Sequence, residues 1–196
     1  MILKLRRITE VRCPFQIVAE GAVDWTHFSY IHRKSHRVFK LIKKDGFESV
    51  FYYKARMLYP FPIYKNYILV RRELPTQWGY EQVYYDLSTG KTHFLKAVTV
   101  ENGETNSIVG DFEFDVSTIW MRFPKLFFFI FKLRMRRVMN EDNMYMKERM
   151  HLGVSKQVNC EIKVPETYSL FADYRKENPE ENRIDFQDHV LVDLTK

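Results

Sequence analysis

The chain has 196 residues, of which 16% are aromatic and 29% charged, and its formal charge is +6. This composition is typical of a folded domain with a sizeable core, and it excludes a disordered or low-complexity chain. Two well-separated cysteines, Cys13 and Cys160, exclude a disulfide framework and favour a reducing, cytoplasmic location.

The N-terminal segment predicts an extended strand and then a helix. Leu3–Arg12 has the extended pattern, and Cys13-Pro14 leads into a helix that we expect to begin near Ala22. The basic start of the chain has no continuous apolar stretch of the kind that a secretory signal requires, so we expect an intracellular protein.

Residues 24–32, which read DWTHFSYIH, contain Asp24, His27 and His32. Two neutral imidazoles beside a carboxylate can hold a divalent transition metal. On a regular α-helix, however, residues five apart point about 140° away from each other. A shared metal therefore requires a helix that is overwound, broken or widened in this segment.

A plainer interpretation of the same segment is a half-buried helix without a metal. Trp25, Phe28 and Ile31 would then form its core stripe at helical spacing, and the two histidines would be ordinary buried side chains. His36 lies four residues after His32, so this pair is a weaker rival metal site.

The middle of the chain predicts an antiparallel meander, because β-branched and aromatic runs alternate with turn signals. Turns are expected at the glycines Gly46, Gly90 and Gly103. The predicted strands are Val38–Lys43, Ser49–Leu58, Tyr64–Leu74, Tyr80–Leu87, Thr92–Val100 and Ser107–Val116.

Ser117–Met150 predicts one long helix with its start or a kink at Pro124. Its most apolar part, Leu126–Leu133, is far shorter than the about 20 residues that cross a bilayer, which excludes a transmembrane span. We expect its aromatic residues to pack beneath the sheet. The alternative is an apolar mouth or membrane-facing patch flanked by basic residues. Those residues are Lys125, Lys132, Arg134, Arg136 and Arg137.

The order of an early helix, a meander and a late long helix is typical of an α+β fold of the helix-grip, START-like (SRPBCC) type. In this fold a curved antiparallel sheet wraps around the long C-terminal helix and leaves a cavity. We expect residues 1–175 to form this single domain and residues 176–196 to form a C-terminal arm. The arm could dock on its own domain or on a partner subunit, as in a homo-oligomer.

Residues 20–32, EGAVDWTHFSYIH, resemble the catalytic-domain signature of Rieske-type non-haem iron oxygenases, roughly E-N-x-x-D-x-x-H-x-x-x-x-H. Residues 27–32 also match the H-F-x-Y-[IV]-H form that is common in the ketosteroid-hydroxylase subgroup. Far downstream, Glu141-Asp142 resembles the family's E-D phrase on the last long helix. The resemblance implies that His27, His32 and Asp142 bind a mononuclear, non-haem Fe(II). It also implies that Asp24 is a catalytic carboxylate that links the iron to the cluster of a neighbouring subunit.

Two departures from the family accompany this resemblance. Gly21 replaces the usual Asn of the signature. The chain also lacks the Cys-x-His and Cys-x-x-His pieces that bind a Rieske [2Fe-2S] cluster, because neither Cys13 nor Cys160 begins one. We therefore expect no [2Fe-2S] cluster in this chain, and an oxygenase would need electrons from a separate electron-transfer or Rieske-cluster protein.

The leading functional hypothesis is a non-haem iron oxygenase, an oxidoreductase that hydroxylates a hydrophobic, aromatic or lipid-like substrate. The first alternative is a metal-free START-like protein that binds or carries a hydrophobic ligand. The second is a cyclase-like enzyme with His27 or Tyr30 as the proton carrier.

The positive charge does not by itself define a partner. No nucleic-acid-binding motif is present, so we expect no nucleic-acid partner. Arg33, Lys34 and Arg37 could dock an acidic electron-transfer protein, although such charges are more often a solvated helix end.

Overall fold

The structure, a computed structural model, describes residues 2–29, 31–32, 34–58, 61, 63–103, 105–152 and 183–193. It contains an eight-stranded curved sheet in the order β2-β3-β4-β5-β6-β7-β1-β8. The strands are β1 Ile2–Arg12, β2 His36–Asp45, β3 Glu48–Leu58, β4 Ile63–Glu73, β5 Gly79–Asp86, β6 Thr92–Asn102, β7 Thr105–Asp115 and β8 Arg183–Asp193. The helices are α1 Phe15–Val23, a 3-10 helix Thr26–Ser29, α2 Thr118–Arg122 and α3 Pro124–Leu152.

Strands β2 to β7 form the expected antiparallel meander, and each contains most of a predicted strand. The glycines of three tight turns, Gly46, Gly90 and Gly103, have φ angles of 54°, 69° and 71°. Side chains with a Cβ rarely adopt this left-handed region, so glycine is the residue that these hairpins need. The sheet of the helix-grip, START-like fold is therefore as predicted.

The long helix begins at Pro124, the first of the two outcomes that the sequence left open, and the short helix α2 precedes it. Proline is well accommodated in the first turn of a helix. One face of α3 packs beneath the sheet through Phe128 and the half-buried Phe127 and Phe131. The opposite face leaves Phe129 59% exposed. The apolar run Leu126–Leu133 therefore packs into the core on one face of the helix only. Within the part of the chain that the structure describes, no helix is long and apolar enough to span a membrane.

The C-terminal strand β8 lies beside β1 and is parallel to it, whereas every other neighbouring pair is antiparallel. Asp188 of β8 lies 3.2 Å from Arg7 Nη1 and 2.7 Å from Lys132 Nζ. The described part of the predicted arm therefore docks on this chain's own sheet and helix. The proposed boundary between residues 175 and 176 lies outside the described residues.

Gly79, the first residue of β5, lies unusually close to the neighbouring strand. A Cβ atom at this position would overlap the Ala97 carbonyl oxygen and lie 2.9 Å from Val98 Cα. Both are backbone atoms, which cannot rotate away, so we expect Gly79→Ala to destabilise the protein by about 1–3 kcal/mol.

Urea unfolding followed by tryptophan fluorescence measures this change. Gly21→Ala is the matched control, because a Cβ at Gly21 would be 3.9 Å from Met146 Cγ, an ordinary contact. In the interior of α1, alanine should stabilise the protein by up to about 1 kcal/mol. Equal stability of the two variants would contradict the close approach at Gly79.

Candidate metal centre

The histidine motif lies on a tight turn and not on a regular α-helix. Helix α1 ends at Val23, because Asp24 is extended with φ −72° and ψ 99°. A 3-10 helix over Thr26–Ser29 then carries His27, and a turn carries His32. The expected helix beginning near Ala22 is therefore wrong. A spacing of three between the motif's apolar residues suits the three-residue period of a 3-10 helix as well as an α-helix.

This overwound turn brings the two imidazoles to the same place. The ring centroids of His27 and His32 are 5.3 Å apart, and both side chains are buried. The regular-helix geometry that argued against a shared site does not apply here. Tyr30, the second proton carrier considered from the sequence, lies outside the described residues.

Helix α3 supplies the third predicted residue. Asp142 Oδ1 lies 2.9 Å from His32 Nε2 and 3.5 Å from His27 Nε2. One potential ligand atom from each of the three residues lies within 4.8 Å of the others. Two ligands that are each about 2.1 Å from one ion and roughly 90–110° apart would lie about 3.0–3.4 Å from each other. The two separations around Asp142 are therefore close to those that a shared transition-metal ion requires.

Glu141, the neighbour of Asp142 on α3, contacts the other nitrogen of His32. Its Oε2 lies 3.0 Å from His32 Nδ1, and both side chains are buried. His32 Nε2 faces Asp142 but has no aligned hydrogen-bond partner among the described residues. A carboxylate on the far nitrogen of a histidine, with the near nitrogen directed at the ion, is the usual arrangement around a metal-binding imidazole.

The electrostatics of the site suit a cation. Burial lowers the pKa of His32, but its close contacts with Asp142 and Glu141 and the charges of these two carboxylates outweigh burial and raise the pKa to about 9. Burial raises the pKa of Asp142, but its contacts with His27 and His32 lower it overall. Two carboxylates therefore face one buried imidazole, and a metal ion could replace the imidazole's second proton.

The sequence did not reveal the role of Glu141. Taken alone, the Glu-Asp pair predicts two solvated carboxylates on one helix. The sequence feature that could have indicated this role is that Glu141 and Asp142 are adjacent on one helix, because the side chains of neighbouring helical residues point about 100° apart. One carboxylate can thus reach the metal position while the other reaches behind the imidazole.

Asp24 is placed beside the centre and not in it. Its Oδ2 accepts a hydrogen bond of 2.7 Å from the Tyr145 hydroxyl. The Tyr145 ring stacks on His27, with ring centroids 4.7 Å apart. Tyr145 therefore connects Asp24 to a candidate ligand within this chain. The role of Asp24 as a bridge to a cluster in another subunit stays a prediction.

The rival pair of His32 and His36 has a different environment. Their rings are 5.1 Å apart, but His36 is not part of the carboxylate-containing group that the described residues form. Burial, followed by the charges of His32 and Arg134, lowers the pKa of His36 well below its usual value. His36 fits a neutral histidine on the cavity wall.

A cavity of about 230 Å³ lies between the sheet and α3, and both His27 and Asp142 line it. Asp142 is 25% exposed, so the candidate centre is accessible from the cavity. The wall is largely aromatic and aliphatic, as ligand pockets commonly are. Its aromatic residues include Phe28, Phe39, Tyr53, Tyr67, Tyr80, Tyr84, Phe94, Phe112, Phe114 and Phe131.

The structure places several of the basic residues that were named from the sequence. Arg134 lines the cavity. The alternative of an apolar mouth or membrane-facing patch stays a prediction. Lys34 and Arg37 are exposed. Arg33, the third residue of the suggested docking surface, lies outside the described residues.

Comparisons with known proteins establish the fold and nothing finer. No protein-family model matches the chain, and no curated protein matches it in sequence. The Zhui aromatase/cyclase from Streptomyces sp. R1128 is 10% identical with a TM-score of 0.59, and the match covers 80% of this chain and 100% of that one.

Norcoclaurine synthase from Thalictrum flavum, in complex with dopamine and hydroxybenzaldehyde, is 11% identical with a TM-score of 0.57, covering 80% of this chain and 90% of that one. The protein TTHA0849 from Thermus thermophilus is 12% identical with a TM-score of 0.54, covering 78% and 99%. These likenesses agree with the START-like architecture predicted from the order of elements.

Proposed function

We propose that this protein binds a hydrophobic molecule in its cavity and holds a mononuclear Fe(II) at the cavity wall through His27, His32 and Asp142. It would act as an oxygenase-type domain that hydroxylates the bound molecule. One observation carries the metal part: three ligand atoms converge while Glu141 occupies the far nitrogen of His32. Two histidines and one carboxylate leave several coordination positions open, which suits Fe(II) better than a closed zinc site.

When bound, the iron would supply the binding and reductive activation of dioxygen. The chain's own residues would hold the metal ligands and the substrate in position and would shield them from water. Glu141 accepts a hydrogen bond from His32 Nδ1–H and so directs Nε2 at the metal position. Tyr145 stacks on His27 and limits its rotation. The aromatic walls would hold an apolar substrate beside Asp142 and exclude bulk water.

These 196 residues contain no Cys and His pattern for a [2Fe-2S] cluster, so the electrons for such a reaction would come from a cluster outside them. Asp24 would be the contact point for a cluster carried by an electron-transfer partner or by another subunit. Its hydrogen bond to Tyr145, which stacks on His27, supports this placement. A homo-oligomer of this chain could deliver electrons to the iron only if it also recruited a protein that carries a cluster.

Exposed cations near the motif give this docking proposal a test. We expect Lys34→Glu with Arg37→Glu to slow reduction of the iron by an acidic donor severalfold at low salt, because complementary charge mainly speeds encounter. The difference should shrink at about 0.5 M salt, where screening is strong. Stopped-flow reduction measures both rates. Lys125→Glu, which reverses an exposed charge on α3, is the control, and equal slowing in that variant would contradict a specific docking surface.

The second candidate function is a metal-free protein that binds or carries a hydrophobic ligand, or a cyclase-like enzyme. The comparisons favour it at least as well as the oxygenase, because the matched structures include an aromatase/cyclase and norcoclaurine synthase. The cavity supports both candidates equally. The two candidates differ in whether His27, His32 and Asp142 hold a metal during function.

A single-turnover experiment separates the two candidates. Protein reconstituted anaerobically with Fe(II) is given a panel of aromatic and lipid-like compounds, a chemical reductant and ¹⁸O₂. The oxygenase proposal expects one labelled oxygen atom in a product of the parent protein and none with Asp142→Ala. Equal ligand binding by both proteins, with no labelled product from either, would reject the oxygenase in favour of the ligand carrier.

A further inference from the structure

Arg134 is a cation on the cavity wall that has no acidic partner among the residues that the structure describes. Its Nη2 donates to the Tyr53 hydroxyl at 3.2 Å, and its Nη1 lies 3.7 Å from the Met57 sulfur. Over the described ranges, no carboxylate lies within 4.0 Å of its guanidinium, whereas Arg7 in the same wall pairs with Asp188. A charge that faces an apolar cavity is costly unless an opposite charge or hydrogen bonds compensate it.

The wall around Arg134 offers further hydrogen-bonding groups. Burial raises the pKa of Tyr53 and Tyr67, so both remain neutral phenols that can donate a hydrogen bond. His93 stands beyond Tyr67, with ring centroids 6.3 Å apart, and its buried Nδ1 has no hydrogen-bond partner among the described residues. Burial lowers the pKa of His93 to about 4, so at neutral pH it is uncharged. This part of the wall therefore presents the Arg134 cation and several hydrogen-bond donors.

Asp142, in contrast, is the only carboxylate among the described residues that line the cavity. Arg134 and Asp142 are eight residues apart on α3, which corresponds to about 12 Å along the helix axis. Two turns of helix thus separate a positive end of the cavity from the acidic candidate metal centre.

We propose that Arg134 and Tyr53 bind the carboxylate of a hydrophobic acid, with Tyr67 and His93 as neighbouring donors. The apolar body of the acid extends along the aromatic wall towards His27 and Asp142. This inference rests on the proposed function in one respect, that the cavity is the ligand site, and it does not need the metal. It narrows the substrate class to amphipathic monocarboxylic acids whose far end lies on the order of 10 Å from the carboxylate.

The test measures ligand binding by metal-free protein in EDTA, using isothermal titration calorimetry. Two matched pairs serve as probes: biphenyl-4-carboxylate with biphenyl-4-carboxamide, and octanoate with octanamide. Each pair differs in charge and hardly in shape. We expect the parent protein to bind the acid of at least one pair about 10–100-fold more tightly than the amide, as a charge-assisted hydrogen bond predicts.

Arg134→Met should abolish this preference by weakening the acid far more than the amide, which loses only a neutral hydrogen bond. Amide binding that persists in this variant also shows that the cavity is folded. Arg134→Lys should keep part of the preference, since it keeps the charge but loses the planar fork. Arg136→Met removes an exposed cation of the same helix and should change nothing.

Three results would overturn the inference: no acid binds the parent, acid and amide bind equally, or the preference survives in Arg134→Met. Amide binding without acid preference would leave the cavity proposal intact and reject only the carboxylate anchor. Because no metal is present, a failed iron measurement and a failed anchor are separate outcomes.

Discussion

Glu141→Leu is expected to weaken Fe(II) binding about 10–100-fold, although Glu141 would not touch the iron. In the structure its carboxylate lies 3.0 Å from His32 Nδ1 and is buried. Without it, the imidazole can rotate, can take the other tautomer and becomes a weaker donor to the metal. Glu141→Gln keeps an acceptor oxygen but loses the charge, so its effect should be smaller, about tenfold.

Anaerobic titration with Fe(II) against a competing chelator measures these affinities. Glu148→Gln is the matched control, because Glu148 is an exposed acid further along the same helix. It should bind iron like the parent. Parent-like affinity in both Glu141 variants would contradict the view that Glu141 orients a metal ligand, and would leave its contact with His32 as a packing feature.

Phe51→Ala is expected to destabilise the protein by about 3–5 kcal/mol, the largest stability effect that we predict. Phe51 on β3 is fully buried, and its ring centroid lies 5.1 Å from Trp25 and 4.6 Å from Phe39. Truncation removes these contacts and leaves a void that the surrounding strands cannot close. Trp25 precedes the 3-10 helix of the metal motif, so the loss should also loosen the turn that presents His27.

Chemical denaturation measures the free energy of unfolding of this variant. Phe47→Ala is the control, since Phe47 is 60% exposed, and we expect its effect to stay within about 0.5 kcal/mol. A loss below about 1 kcal/mol in Phe51→Ala would mean that this aromatic cluster adapts to the void.

The sheet and the long helix could be predicted because their signals are local. Period-two patterns and turn glycines such as Gly46 and Gly90 indicate hairpins, whose strands pair with their immediate neighbours. The pairing of β8 with β1 could not be predicted in this way. In this pair Ile2 lies opposite Arg183, and residues so far apart in the sequence come together only in the folded chain.

The candidate ligands His27, His32 and Asp142 were predicted through the resemblance of two short phrases to an oxygenase signature. The residues around them were not, for a physical reason. Glu141 contacts His32 across a separation of 109 residues, and Arg134 contacts Tyr53 across 81. Each of these long side chains is usually solvated on a helix, and only tertiary packing turns it inward.

The central claim is that His27, His32 and Asp142 form one iron site, and the iron content of anaerobically prepared protein tests it most directly. Elemental analysis gives the iron per chain, and spin resonance of the Fe(II)-nitrosyl adduct reports on its coordination. We expect about one iron in the parent and loss of both signals in His27→Ala and Asp142→Ala, with Glu148→Gln unchanged. A correctly folded parent without iron, or variants that retain it, would contradict the iron site and leave a hydrophobic-ligand protein as the function of this fold.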